Sequence, residues 1–349
     1  MPGLYIHVPF CKKKCHYCNF TIALSGPEAR HAEYLEALDR EASRHYERFK
    51  GVLFETVYLG GGTPSTLRPA EFRRLFSDLG CYFQWKPEVE VTCEVNPGEM
   101  DLEKAELLRE LGVNRVSFGA QSFHDETLKS LNRAHGVSDI TRSFGILRQA
   151  GFKNINLDLI LSLPGEGWDK ARYSLERALE LGPEHISLYE LTVEAKTVFG
   201  DLHKKGKLAL PDEDAQFETL SKAREFLMSR GYIHYELLNY AKPGFESRHN
   251  CLYWANGDTL GLGPGAYSYV DGRRSRFADS YHSYLSKIGA GDWSSVEEET
   301  LSRENKEIES FLLALRLTEG APVARFEGVL ARFKKDIADL SEKGLLLQD

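Results

Sequence analysis

Short runs of aliphatic and β-branched residues alternate with longer segments in which apolar residues recur every three or four positions. The short runs, at residues 4–8, 56–59, 89–94, 115–120, 154–160 and 185–190, read as strands. Between them, residues 27–48, 69–79, 101–111, 137–150 and 168–181 carry the helical period. Ser25-Gly26 supplies cap and turn chemistry ahead of the first helix, and Leu111-Gly112, Ala150-Gly151 and Leu181-Gly182 place glycine where helices end. Six such β/α units predict an α/β fold with a parallel sheet and crossover helices. A curved, TIM-like partial barrel and a flat doubly wound sheet both satisfy the pattern.

After residue 190 the rhythm stops. Residues 212–230 form an amphipathic helix, 234–239 a strand, and 257–272 a glycine-rich loop. Helical periods return at 301–317, 323–332 and 335–343, followed by an apolar stretch at 345–347. The expected organisation is a core over 1–200, a connecting region over 201–300, and a small helical, winged-helix-like unit over 301–349.

Composition changes this picture little. A hydrophobic share of 42% and a charged share of 28% are ordinary for a globular chain. The net charge of −8 argues against a nucleic-acid or anionic-membrane surface, with peripheral membrane contact left open. No apolar run reaches the roughly 20 residues that span a bilayer, and no export signal is visible. Unpaired thiols suit a reducing cytoplasm, which is the expected location.

The cysteines change it a great deal. Cys11-Lys-Lys-Lys-Cys15-His-Tyr-Cys18 puts three thiols in C-x3-C-x2-C spacing straight after the first strand. A structural zinc site wants four ligands, commonly from two cysteine pairs, and Cys81, Cys93 and Cys251 are scattered singly. His16 is awkwardly placed between two cysteines to complete such a site, and a disulfide framework fits poorly in so long a chain. Three thiolates suit an iron–sulfur cube, whose four irons each want a ligand; one iron then stays open.

Other polar groups cluster at predicted strand ends. Gly60-Gly61-Gly62-Thr63-Pro64-Ser65 follows the second strand, where bare backbone can approach a ligand. Glu94, Gln121, Arg133 and Asp158 stand at or near the ends of later strands. Each alone reads as solvated or capping. Asp158 lies inside an apolar run, where an unpaired charge is costly, so a partner is expected.

The cysteine spacing, with Tyr17 before the last thiol, resembles the signature of radical S-adenosylmethionine (SAM) enzymes. That resemblance implies a 4Fe–4S cluster on Cys11, Cys15 and Cys18, SAM bound through its amino and carboxylate groups to the open iron, and reductive cleavage to a 5′-deoxyadenosyl radical. It favours the partial (β/α)6 barrel. Tyr5-Ile6-His7-Val8-Pro9-Phe10-Cys11, Glu94-Val95-Asn96-Pro97, Gly119-Ala120-Gln121-Ser122-Phe123 and Asp158-Leu159-Ile160 with Leu163-Pro164 resemble oxygen-independent coproporphyrinogen III dehydrogenase and its relatives over nearly the whole chain. By that resemblance Tyr5, Tyr17, Gly61, Gly62, Thr63, Glu94, Gln121, Arg133, Asp158 and Thr192 line the SAM site. A reductant of the flavodoxin or ferredoxin type is implied as a partner.

Within that branch, the dehydrogenase carries a long N-terminal extension and a fourth cysteine two residues after the third. Here Cys11 comes almost at once and Phe20 occupies the fourth position. His16 stands where proline is usual. His249-Asn250-Cys251-Leu252-Tyr253-Trp254, an H-N-x-x-Y-W string, and Asn239-Tyr240-Ala241-Lys242-Pro243-Gly244 before it resemble the HemW-type heme chaperones, which implies heme and heme-acceptor proteins as partners. Imidazole is a common axial ligand, so His249, with Tyr253 and Trp254 stacked on a macrocycle, is the expected heme contact, and Cys251 is an alternative ligand. The competing view is that these side chains simply hold a loop against the core. Arg273-Arg274-Ser275-Arg276 could meet propionates, although a solvated loop is the simpler expectation. Rival activities are oxidative decarboxylation of coproporphyrinogen III and radical modification of heme.

Overall fold

The computed structural model describes residues 2–347. The chain opens with β1 (Gly3–Val8) and a two-residue pair, β2 (Phe10–Cys11) and β3 (Ala23–Leu24). There follow α1 (Glu28–Phe49), β4 (Leu53–Gly61), α2 (Pro69–Tyr82), β5 (Gln84–Val95), α3 (Leu102–Glu110), β6 (Arg115–Gln121), α4 (Asp125–Ser130), α5 (Val137–Gln149), β7 (Ile155–Leu161), α6 (Trp168–Glu180) and β8 (His185–Glu190). The rest comprises α7 (Val198–Lys204), α8 (Glu213–Met228), β9 (Ile233–Glu236), β10 (Asn239–Ala241), α9 (Arg248–Trp254), β11 (Thr259–Leu262), β12 (Tyr267–Val270), β13 (Arg273–Arg276), α10 (Tyr281–Ala290), β14 (Glu297–Thr300), α11 (Arg303–Ala314), α12 (Glu327–Arg332) and α13 (Lys334–Glu342).

The expected six β/α units are all present. Strand β7 is apolar at nearly every position and is buried on both faces, as parallel strands covered by helices must be. Helix α6 buries Ala171, Ser174, Leu175 and Ala178, one stripe at helical spacing. Helices α3, α5 and α6 each end within two residues of a left-handed glycine, Gly112, Gly151 and Gly182. Asp101 caps α3 by accepting from the Lys104 backbone N–H.

The main sheet runs β14-β13-β12-β11-β1-β4-β5-β6-β7-β8-β10-β9. From β11 to β8 the neighbours are parallel, and antiparallel strands extend both flanks. Among the described residues the two outermost strands, β14 and β9, are not paired with each other.

The segment expected to be a glycine-rich loop over 257–272 is instead built into this sheet. Leu260 and Leu262 are fully buried, and β11 lies parallel to β1 with Gly3 opposite Thr259 and Ile6 opposite Leu262. The glycines serve close approach: a Cβ on Gly261 would sit 2.2 Å from the Tyr267 carbonyl oxygen. The single strand expected over 234–239 is two strands, β9 and β10, joined by a tight turn. Residues after Thr300 form helices with a satellite core of Phe311, Ala314, Phe326 and Val329. No helix among the described residues is long and apolar enough to cross a membrane.

Candidate functional site

The register of β1 on β4 sets His7 opposite Gly60 and Val8 opposite Gly61. The cysteine loop and the glycine loop therefore leave the sheet side by side, at the carboxyl ends of parallel strands. The glycines mainly make room for this junction. A Cβ on Gly61 would lie 2.5 Å from the His7 ring, one on Gly62 2.6 Å from the Pro9 carbonyl carbon, and Gly61 has a φ of 105°. The Gly62 N–H donates to the Val8 carbonyl, and the Cys11 thiol lies 3.4 Å from the Thr63 hydroxyl.

A cavity of about 440 Å³ opens at this end of the sheet. Cys11, Cys15, Cys18, Tyr17, Gly61, Gly62, Thr63, Glu94, Gln121, Arg133, Asp158 and Thr192, all expected at the site, line it. Phe20 stands at its wall with 65% of its surface exposed.

The cysteine loop is tied down at several points. The His16 backbone N–H donates to the Leu131 carbonyl and its ring nitrogen bonds the Ser130 carbonyl at 2.8 Å. Asn132 donates to the Lys14 carbonyl, and the Phe199 N–H to that of His16. His16 is thus committed to the scaffold, not to a metal site with the thiols. Among the described residues no three His, Cys, Asp or Glu side chains converge on one point as a single ion requires. A cube spreads its three thiolates over separate irons, and the loop fits that donor set. Burial pushes the Cys11 thiol up to about 11 and raises Cys18, so bound iron would have to displace their protons.

Arg133 is the central cation. Its guanidinium reaches the Cys15 sulfur at 3.4 Å, the Tyr17 hydroxyl at 3.5 Å, and the Gly119 carbonyl at 2.9 Å. It also meets the Asn96 side-chain oxygen, and its Nε–H is buried with no partner. A guanidinium on the wall of a cavity suits an anionic ligand group.

Two carboxyls face it across the cavity. Asp158 accepts from Asn156 at 2.7 Å and Ser117 at 3.3 Å, and burial raises its pKa. Glu94 accepts from the Tyr58 hydroxyl at 2.9 Å and the Gly61 N–H at 3.0 Å; burial pushes it up to about 7. Gln121, at the end of β6, has a φ of 69°, a conformation side-chain-bearing residues rarely adopt outside functional turns.

Asn96 was not picked out by sequence reasoning, though it lines the cavity and bridges Thr63 to Arg133. Its position at a strand end, just before Pro97, was the available signal. Tyr189 and His135 also line the cavity without a sequence cue.

Tyr5 is not among the lining residues. Its ring lies in the sheet interior beside Tyr58, at 6.0 Å, and its hydroxyl bonds His7. His249 belongs to that same interior group. It is 1% exposed, with one ring nitrogen 2.8 Å from the Thr56 hydroxyl and the other 3.0 Å from that of Tyr253. Burial, then Arg115, pushes its pKa down to about 3. Both ring nitrogens are therefore engaged within the sheet. Burial also raises the Cys251 thiol to about 11, as it does that of Cys11, but Cys251 is not among the residues that line the cavity. Trp254 lies apart under the Arg316 guanidinium, 4.1 Å from its ring centre. Arg273, Arg274 and Arg276 form no loop: they lie on β13 and pair with Glu298, Glu299 and Glu297 of β14, with Glu309 also on Arg274. The solvated loop expected over 273–276 is thus a strand whose arginines are paired across to the next one.

A parallel α/β sheet bearing three thiols, a glycine junction and facing Arg and carboxyl groups at its carboxyl end is the arrangement of the radical SAM class. The sequence model of the Radical SAM superfamily matches residues 5–178. The solved structure of Escherichia coli coproporphyrinogen III oxidase (HemN), described as a radical SAM enzyme, superposes with a TM-score of 0.88 at 25% identity, covering 100% of this chain and 85% of that one. Heme chaperone HemW of Bacillus subtilis is 35% identical, over 99% of this chain and 93% of its own length. Heme chaperone HemW of Escherichia coli is 35% identical over 93% and 85%. The chain belongs to the HemW family of the radical SAM superfamily.

Proposed function

We propose that this protein is a cytoplasmic heme chaperone that carries a 4Fe–4S cluster and SAM, binds heme and passes it to acceptor proteins. The observation that carries the reading is likeness to curated heme chaperones over nearly the whole length, stronger in identity than the likeness to coproporphyrinogen III oxidase. Phe20, exposed at the cavity where the dehydrogenase resemblance calls for a fourth cysteine, supports the same choice.

Cys11, Cys15 and Cys18 hold the cluster, which when bound supplies a single electron to SAM. Arg133 meets the carboxylate of SAM through its guanidinium, and Glu94 and Asp158 accept from its amino and ribose hydroxyl groups. Arg133 joins the Cys15 sulfur to the Tyr17 hydroxyl at the edge of the cavity. Lys12, Lys13 and Lys14 are exposed on the cysteine loop of a chain with a net charge of −8, a local cationic collar that suits an acidic electron donor such as a flavodoxin or ferredoxin.

The test is anaerobic incubation of reconstituted protein with SAM, reductant and either heme or coproporphyrinogen III, followed by mass spectrometry. The expected result is about one intact heme bound per chain and no conversion of coproporphyrinogen III. Steady production of protoporphyrinogen IX would make the dehydrogenase the answer.

A further inference from the structure

The H-N-x-x-Y-W segment remains to be accounted for. It forms α9, and its first two backbone N–H groups, of Arg248 and His249, both donate to the Glu90 carboxylate at 3.0 Å. Glu90 lies on β5, the strand that carries Glu94 four residues on. His249 bonds Thr56 on β4, and its ring stacks on Tyr58 of the same strand at 5.0 Å and 29°. The Tyr58 hydroxyl donates to Glu94, which lines the cavity.

This column has no slack. A Cβ on Gly3 would meet Leu252 at 2.7 Å, Thr56 at 2.8 Å and His249 at 3.2 Å. A Cβ on Gly60 would meet the Tyr58 ring at 2.7 Å and Glu94 at 2.9 Å. Backbone lies directly against each member, so a shift of one is felt by the next.

We infer that His249 and Tyr253 of the H-N-x-x-Y-W segment support the SAM pocket from beneath: they orient Tyr58, and Tyr58 holds the Glu94 carboxylate toward the ligand. The three are positioning residues, and the histidine serves the sheet interior in place of heme iron. Side-chain chemistry explains the histidine and the tyrosine of the motif. Histidine offers two opposed ring nitrogens that span Thr56 and Tyr253. Tyrosine four residues later on the helix is the group whose hydroxyl can reach the second nitrogen from the same face.

The inference rests on the reading of the cavity as the SAM site, and one experiment separates the two. Reconstituted wild type, Tyr58→Phe, Tyr253→Phe and His249→Gln are compared for iron content, SAM affinity, the change that SAM causes in the electron paramagnetic resonance of the reduced cluster, and the Soret spectrum with added heme. The tyrosine variants keep ring volume and remove one hydroxyl each. Tyr58→Phe takes a hydrogen bond from a carboxylate and should weaken SAM binding about tenfold. Tyr253→Phe and His249→Gln act at one remove and should weaken it about threefold. Iron content and the Soret band should not change. Unaltered SAM affinity and resonance in Tyr58→Phe and Tyr253→Phe would overturn the inference. So would a displaced Soret band in His249→Gln, which would make the imidazole a heme ligand. Wild-type protein that fails to bind SAM at all would instead overturn the reading of the cavity.

Discussion

The cysteine loop and helix α9 are the two segments densest in potential ligands, and the fold treats them in opposite ways. On the cysteine loop three thiols face a cavity, and the Arg133 Nε–H beside them has no partner. On α9 the helix N-terminus is met by Glu90 and both ring nitrogens of His249 are engaged inside the sheet. Residue type is similar in the two places; the difference is that the thiols line a cavity, whereas Glu90, His249 and Tyr253 bond one another and the sheet. A buried donor without a partner carries a penalty that a ligand relieves, whereas a fully bonded imidazole gains nothing from a metal until the surrounding contacts are broken. A candidate site is therefore better recognised by polar groups that converge on a cavity than by the presence of histidine or cysteine.

The sharpest way to break this comparison is to move the cluster. Cys11→Ala, Cys15→Ala and Cys18→Ala should each abolish an iron content of about four per chain and the broad absorption near 400 nm expected of a thiolate-held cube. Cys251→Ser on α9 should leave both intact. An iron signal that vanished with Cys251 and survived without Cys15 would reverse the assignment of the two regions.

Buried carboxyls offer a second contrast. Burial pushes both Glu94, at the cavity, and Glu41, in the scaffold, up to about 7. Glu41 accepts from the Gly263 N–H and the Tyr284 hydroxyl, both at 2.8 Å, far along the chain from the cysteines. Because its folded pKa lies above the unfolded value, the folded state binds more protons between about pH 4.5 and 7, and stability falls as pH rises through that window. The effect of Glu41 alone reaches about 3 kcal/mol. Glu41→Gln should flatten the slope of urea-unfolding free energy against pH and leave SAM affinity unchanged. A slope that stays as steep would show that the scaffold carboxyl is ionised in the folded protein.

Asp158→Ala and Arg133→Ala should weaken SAM binding with the cluster retained. Each removes a charge-assisted contact of about 1.5–3 kcal/mol, or roughly 10–150-fold in affinity, measurable by equilibrium dialysis. Wild-type affinity in both variants would take these residues out of the site. The smallest effect belongs to the arginine ladder on the sheet edge. Glu298→Gln breaks an exposed pair with Arg273 and should cost under about 1 kcal/mol by urea unfolding. A larger loss would mean that the β13–β14 ladder acts as a network.

Much of the first half was legible because its signals are local. Strand and helix periods over residues 4–190, the glycines that end α3, α5 and α6, and the C-x3-C-x2-C spacing each depend on neighbours within one or two turns. The expectation that Glu94, Gln121, Arg133 and Asp158 share one end of the sheet also held, since strand ends in a parallel sheet converge whatever the loops do. Tyr5 lies beside Tyr58, whose hydroxyl meets Glu94 at the cavity, and how deep it sits below the lining is a property of the whole sheet.

By itself, then, the sequence determined the β/α succession, the three-thiol loop and the polar strand ends. Tertiary structure alone decided that the glycine-rich segment around Gly261 is a strand, because its burial exists only once β1 lies beside it. It decided likewise that Arg273, Arg274 and Arg276 are paired across strands, and that the His249 imidazole lies between Thr56 and Tyr253, 193 residues from one and four from the other. Hydrogen-bond partners so distant along the chain leave no periodic trace in it. Whether a polar side chain is spent on the fold or kept for a ligand is settled only when those partners meet.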